Sequence, residues 1–379
     1  MKTLIKNGLI LDSACRSFSK ETLLIDGETI AEVGEMSTVS YDRVIDAEGL
    51  YVIPGFIDVH AHGAFGVNFD RGIDFGEIRM WFARQGITTV SPTIATYPVD
   101  ELVPIMEHAL SEAKKKIGSS LAGLHLEGPF ISSQKKGAMP HPPIPYERES
   151  FEKILEAAKG NLAIMTAAPE IDGGFDLIRY GAERGVWMSL GHTVADCACA
   201  KAAIEAGARG ATHTFNAMRA YDHRDPGVLG AVLTDDRVFC EMICDFVHLA
   251  PETVKLILCA KGAERVILID DAASITGVPD GVYDVNGMAV TVKDGVARNP
   301  EGRLASSCLS MVDGARNLLG LGVSLADVCL MGAYNPAHVL GLDSMTGSLS
   351  PGLRADILVC DAKLNIHTVL AAGEKILLD

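Results

Sequence analysis

Through the middle of the chain, apolar residues gather in short strand-like runs separated by segments with helical spacing. Between about residues 54 and 345 the strand-like runs are PGFIDVHAH, GITTVSPT, LAGLHLEGP, LAIMTAAPE, VWMSLGH, GATHTF, VFCEMICD and RVILIDD. The stretches between them, such as FGEIRMWFARQG, VDELVPIMEHALSEAKKK, ESFEKILEAAKG and VADCACAKAAIEAG, carry apolar residues at the three- and four-residue spacing of a helix face. Eight alternating β and α units predict a TIM-type (β/α)8 barrel, whose chemistry sits at the C-terminal ends of its strands. The two ends of the chain read differently. TLIKNGLIL, ETLLIDGETIAEVG and RVIDAEGLYVIPG are β-rich with Gly and Asp-Gly punctuation, and ADILVCDAKLNIHTVLAAGEKIL repeats that texture at the far end. Residues 1–53 and 346–379 are therefore expected to close into one small sheet domain beside a barrel spanning 54–345.

Composition narrows the possible partners. Of 379 residues 48% are apolar, enough for a sizeable core, yet no apolar run approaches the roughly 18 to 20 residues that span a membrane. The start, MKTLIKNGLILDS, has no small-residue cleavage site, so no secretory leader is expected. With 33 basic against 49 acidic residues the formal charge is −16, which argues against nucleic acid, since backbone phosphates need a basic face. An anionic substrate would need a local cluster of positive groups. The nine cysteines, from Cys15 to Cys360, form no CxxC pair and fit buried free thiols in a reducing cytoplasm.

Candidate chemistry lies at the strand ends. In Asp58-Val59-His60-Ala61-His62, alternation along a strand puts both imidazoles on one face. Glu127 closes the third apolar run, where a carboxylate is costly unless it meets a metal or a basic partner. His125 shares its face one layer deeper and reads as a supporting or core residue rather than a ligand. His192 follows the fifth run and His213 ends the sixth; the eighth ends in Asp270-Asp271, only one of which can face the barrel mouth. Singly, each is as readily an ordinary hydrogen-bonded polar residue. Recurring at the ends of five strands of one barrel, they form a set of imidazoles and carboxylates suited to zinc or iron. Such an ion acidifies water and polarises a carbonyl, and a neighbouring carboxylate can carry the proton to a leaving amine. That chemistry is hydrolysis.

The same stretches carry a resemblance that covers nearly the whole chain. PGFIDVHAHG (54–63), LEGPF (126–130), LGHT (190–193), THTFNAM (212–218), HRDPGVLGA (223–231), IDDAASITG (269–277), NPA (335–337) and GSLSPGLRADI (347–357) resemble the N-acetylglucosamine-6-phosphate deacetylase family of the amidohydrolase superfamily. The resemblance implies a small β-sandwich formed by both termini, a homodimer, and hydrolysis of the N-acetyl group of an amino-sugar phosphate. It implies that Glu127, His192 and His213 hold one divalent ion, zinc or iron. His60 and His62, which some members lack, then imply a second ion with the glutamate as bridge. Asp271 occupies the family's acid/base and metal-facing position. Asn216, Ala217, Arg224 and His248 match the sugar-phosphate contacts, Arg224 or His248 serving the neighbouring subunit's site in a dimer. Two departures stand out. Met139 follows Lys136-Gly137-Ala138 where the family has His or Gln, leaving His141 as the expected substitute, and Leu304-Ala305-Ser306-Ser307 lacks the usual Gly. Alternatives are a deacetylase for N-acetylgalactosamine 6-phosphate or another acylated amine, and a non-catalytic scaffold, which would require lost ligands.

Overall fold

The structure is a computed structural model that describes residues 1–378 except 13, 15, 37–39, 286, 287 and 303; Cys15 lies outside the described residues. Eight parallel strands run β1 (Phe56–Ala61), β2 (Ile87–Ile94), β3 (Leu124–Glu127), β4 (Leu162–Ala167), β5 (Trp187–Leu190), β6 (Gly210–Ala211), β7 (Phe239–Ile243) and β8 (Val266–Ile269). Each pairs in parallel with the next. At the end of β1 and just beyond β8, Ala61 bridges Ala272, and the His62 amide donates to the Ala272 carbonyl at 2.7 Å, so the sheet closes on itself. This is the expected TIM-type barrel. The strands read as near-continuous apolar runs because helices cover them outside and side chains fill them inside.

The anticipated helices form at Gly76–Arg84, Val99–Glu112, Arg148–Ala158 and Cys197–Ala206. Asp196 caps the last of these, accepting from the Cys199 amide at 2.7 Å. Arg79, 2% exposed, ties the first helix to the connection before β3 by donating to the carbonyls of Ser119, Glu112 and Lys115 at 2.8 Å each. Three accepting carbonyls repay part of the cost of burying that guanidinium.

The chain ends build a separate sheet. Tyr51–Pro54 runs antiparallel to Ile357–Cys360 and parallel to the second half of Lys2–Asp12, joining N- and C-terminal segments edge to edge. Its own core contains Ile5, Leu23, Ile25, Val52, Ile357 and Leu370, all fully buried. At roughly 1.5–3 kcal/mol per large aliphatic side chain, such a cluster holds the two ends together against their entropy. Arg354 links this sheet to the barrel, reaching Thr89 of β2 at 2.6 Å and the buried Asp356 at 2.6 Å.

One element beyond β8 was not among those expected from the sequence. A four-stranded antiparallel sheet forms from Gly281–Val285, Met288–Lys293, Val296–Arg298 and Leu304–Ser307. Its signal is the Asp294-Gly295 turn between alternating residues, a hairpin signature. The thiols also correct an expectation. The described cysteines are free, but only Cys240, Cys244, Cys329 and Cys360 are buried, and Cys259 is exposed. Among the described residues no helix is long and apolar enough to cross a membrane.

Candidate metal centre

The strand ends bring His60, His62, Glu127, His192, His213 and Asp271 to one place at the barrel mouth. Glu127, at the tip of β3 and 3% exposed, occupies the middle. Its Oε1 lies 2.8 Å from Nε2 of both His192 and His213, and its Oε2 lies 3.0 Å from Nε2 of His62. Asp271 Oδ1 faces the first pair, 3.4 Å from His60 Nε2 and 3.5 Å from His62 Nε2. Among the described residues three such groups could hold an ion: His60–His62–Glu127 and Glu127–His192–His213 share the glutamate, and His60–His125–Glu241 lies deeper in the barrel.

Local backbone geometry serves this convergence. His192, His213 and Asp271 all adopt left-handed conformations, with φ of 48°, 28° and 52°. Non-glycine residues in that region cost of order 1–3 kcal/mol each and persist only where surrounding contacts fix them. Glu170 supplies such a contact beside His192, accepting from the Thr193 hydroxyl at 2.5 Å and the Val194 amide at 2.7 Å. Gly63 is needed for close approach, since a Cβ there would lie 2.1 Å from the Val67 carbonyl oxygen.

Hydrogen bonds set the tautomers. His192 donates Nδ1–H to the Lys135 carbonyl at 2.6 Å, and His60 donates Nδ1–H to Glu241 Oε2 at 2.9 Å. Each ring therefore turns a lone pair on Nε2 toward Glu127. His60 Nε2 is buried without a hydrogen-bond partner, and the Nε2 atoms of His192 and His213 stand 3.1 Å apart. An orphaned buried lone pair, and two more crowded around one carboxylate oxygen, call for a cation between them. The donor set thus fits a divalent metal ion.

The charges agree. Burial alone would lower the His60 pKa, but Asp271, Glu241 and Glu127 outweigh it and hold the ring well above its usual value, a demand for positive charge that an ion on the Nε2 lone pair would meet in place of a proton. Burial likewise opposes ionisation of Glu127, yet His192 and His60 pull its pKa well below the ordinary carboxylate range. His125 behaves otherwise. Its Nδ1 reaches the Val59 carbonyl at 3.0 Å and its Nε2 the Thr166 hydroxyl at 2.8 Å, so both nitrogens are engaged. Burial pushes its pKa down to about 3, leaving it a neutral member of the barrel's polar interior. Asp270 turns away from the mouth and accepts from the Ala272 amide at 2.9 Å, with burial pushing its pKa up to about 6.

A cavity of about 260 Å³ opens beside the cluster, lined by His62, Glu127, His192, His213 and Asp271 together with Asn68, Asp70 and Ser306. Ala95, Ala138, Met139, Pro140, Val285 and Val290 give it an apolar side. Asn216, Ala217, Arg224, His248 and His141 are not part of that lining. His141 sits outside, 4.9 Å from the Tyr97 ring and 3.8 Å from Glu101, while Met139 takes the wall position and its sulfur accepts from the Thr96 amide. Arg224 is exposed and its own amide donates to Asp222; the neighbouring Asp225 is held by Arg219. His248 is nearly buried, with Nδ1 on Asp245 at 2.7 Å. Asn216 keeps a buried Nδ2 with no partner.

Glu241 went unnoticed in the sequence. Its trace was there, as a carboxylate inside the otherwise apolar run VFCEMIC. Its partner, however, lies 181 residues away.

The model of the amidohydrolase family matches residues 51–376. The chain is 35% identical to N-acetylglucosamine-6-phosphate deacetylase of Bacillus subtilis, covering 90% of each chain. It is 34% identical to N-acetylgalactosamine-6-phosphate deacetylase of Escherichia coli O157:H7, over 87% of this chain and 89% of that one. The solved structure of an aspartate-to-alanine mutant of N-acetyl-D-glucosamine-6-phosphate deacetylase from Mycobacterium smegmatis, in complex with N-acetyl-D-glucosamine 6-phosphate, superposes with a TM-score of 0.91. It is 31% identical and covers 100% of this chain and 99% of its own.

Proposed function

The chain belongs to the amidohydrolase family, and we propose that its barrel-mouth centre hydrolyses the N-acetyl group of N-acetylglucosamine 6-phosphate, giving glucosamine 6-phosphate and acetate, a step of amino-sugar catabolism. The observation that carries this reading is the shared position of Glu127 between two imidazole pairs, with Asp271 facing the first pair. Glu127, His192 and His213 would hold one ion and His60, His62 and Glu127 a second. The nitrogen and oxygen donors suit zinc or iron. When bound, such an ion supplies Lewis acidity and an acidified water.

The residues of the chain then have separate tasks. Asp271 accepts a proton from the attacking water as its oxygen bonds to the acetyl carbon, and returns that proton to the sugar nitrogen as the C–N bond breaks. Acetate and the free amine leave. Arg224 and His248 are assigned to the phosphate, for which a guanidinium and an imidazolium are suited. Asn216, Ala217 and His141 are assigned to the sugar, though none of the three lines the cavity beside the cluster. We assign the chain to a cytoplasmic homodimer in which Arg224 or His248 serves the neighbouring subunit's site; the exposure of Arg224 favours such a use. The domain division at residues 53/54 and 345/346 belongs to the same reading.

A second reading has one specific support, the Escherichia coli relative named for the galactosamine epimer. Acetate release from the 6-phosphates of N-acetylglucosamine and N-acetylgalactosamine, and from unphosphorylated N-acetylglucosamine, separates the two. The glucosamine phosphate is expected to give the highest kcat/KM, with the unphosphorylated sugar at least about 100-fold lower, the loss of two charge-assisted contacts. Higher kcat/KM for the galactosamine epimer would establish the second reading. No acetate from any of them with metal-replete protein would overturn both.

A further inference from the structure

One buried polar contact of the centre is made by a residue that holds no ion in the proposed function. Glu241 lies in the middle of β7, 3% exposed. One of its oxygens, Oε2, accepts twice: from the Nδ1–H of His60 at 2.9 Å and from the main-chain amide of His213 at 3.0 Å. The Glu241 carbonyl also accepts from the Thr214 amide at 2.9 Å, so the turn carrying His213 is tied to β7 on both sides of the carboxylate. The His213 amide fixes the carboxylate, and the carboxylate fixes the His60 ring.

We infer that Glu241 is a positioning residue for the first ion of the centre, acting through His60. A carboxylate on Nδ1 does two things to an imidazole: it selects the tautomer with a lone pair on Nε2, and it raises the basicity of that lone pair. Here that lone pair is the buried, unpartnered Nε2 aimed at Glu127 and Asp271. Among the described residues, Glu241 is the carboxylate bonded to Nδ1 of a proposed ligand, while His192 uses the Lys135 carbonyl for that purpose. A carbonyl is uncharged, so the two halves of the centre are supported unequally. The first ion then depends on the Glu241 charge through a ligand ring, whereas the second meets Glu241 through the His213 main-chain amide, for which a glutamine carbonyl is an adequate acceptor.

The inference rests on the two-ion reading, and its test is the metal content of the purified protein, read without substrate. In a chelator titration, Glu241→Gln is expected to release the His60–His62 ion 10- to 100-fold more readily than wild type while keeping the Glu127–His192–His213 ion. In a His60→Asn background, adding Glu241→Gln should shift the affinity of the remaining ion less than about twofold, because the residue through which Glu241 acts is already gone. If the Gln variant does not fold, Glu241→Asp, which keeps the charge but withdraws it by one methylene, is expected to show the same selective release. Retention of both ions as in wild type, parallel weakening of both, or a wild-type protein that carries a single ion would each overturn the inference. Acetate release by the wild-type protein, measured separately, judges the hydrolase reading.

Discussion

Glu127 Oε2 lies 3.0 Å from Nε2 of His62, while the other oxygen of the same carboxylate lies 2.8 Å from His192 and from His213. One side chain thus serves both halves of the centre. Removing it differs from removing any imidazole. Glu127→Ala is expected to lose both ions together, with affinity falling at least about 100-fold, whereas His62→Asn should lose one. Metal analysis after dialysis of the two variants checks this. Equal losses would mean the glutamate is not shared.

His248 links the phosphate assignment to pH. Burial alone would lower its pKa, but the Asp245 carboxylate outweighs burial and raises it above the ordinary value near 6.5. The imidazolium therefore persists to higher pH than that of an unperturbed histidine and is lost as pH rises through the raised value. Any stability it contributes follows the same direction, full below about 6.5 and lost above. KM for the phosphorylated sugar should climb over this window in wild type and stay flat in His248→Asn. The same climb in both proteins would remove His248 from the phosphate site.

Arg354 makes a prediction about stability. Its guanidinium meets Asp356, whose side chain is 1% exposed, and also reaches Thr89 on the barrel. Arg354→Met leaves a buried carboxylate without its cation, a loss of about 3 kcal/mol, and Tm should fall on the order of 5 °C. Asp356→Asn in the same background should recover part of the loss, because no unpaired charge remains. Thermal unfolding of the three proteins decides; an unchanged Tm in Arg354→Met would show that the terminal sheet is held by apolar packing alone.

Much of the architecture was legible in the chain because buried parallel strands are written as unbroken apolar runs. Seven of the eight barrel strands lie wholly within such runs, even β6, which is only Gly210–Ala211, and β2 overruns its own by one residue, Ile94. The six site residues stood out because polar groups at the ends of those runs have no packing reason to recur. What stayed hidden depended on distance in sequence. Glu241 is an acid inside a strand until His60 is brought 2.9 Å away. Asp270 and Asp271 are equivalent by composition; the family resemblance pointed to Asp271, and in the structure Asp270 is buried behind the strand while Asp271 turns to the mouth at φ 52°. The sheet after β8 was missed because its alternating residues flank loops that helical spacing does not exclude. The placement of His141 outside the cavity depends on the path of a loop, which spacing does not encode.

The central claim is that Asp271 moves the proton in a metal-dependent deacetylation. Asp271→Asn keeps the side-chain shape and one oxygen while removing the base. Turnover of N-acetylglucosamine 6-phosphate, measured as acetate release with metal content determined on the same sample, is the direct test. A metal-replete Asp271→Asn protein whose kcat has fallen by about 10²–10⁴ is the predicted result; near-wild-type turnover at the same metal content would contradict the account.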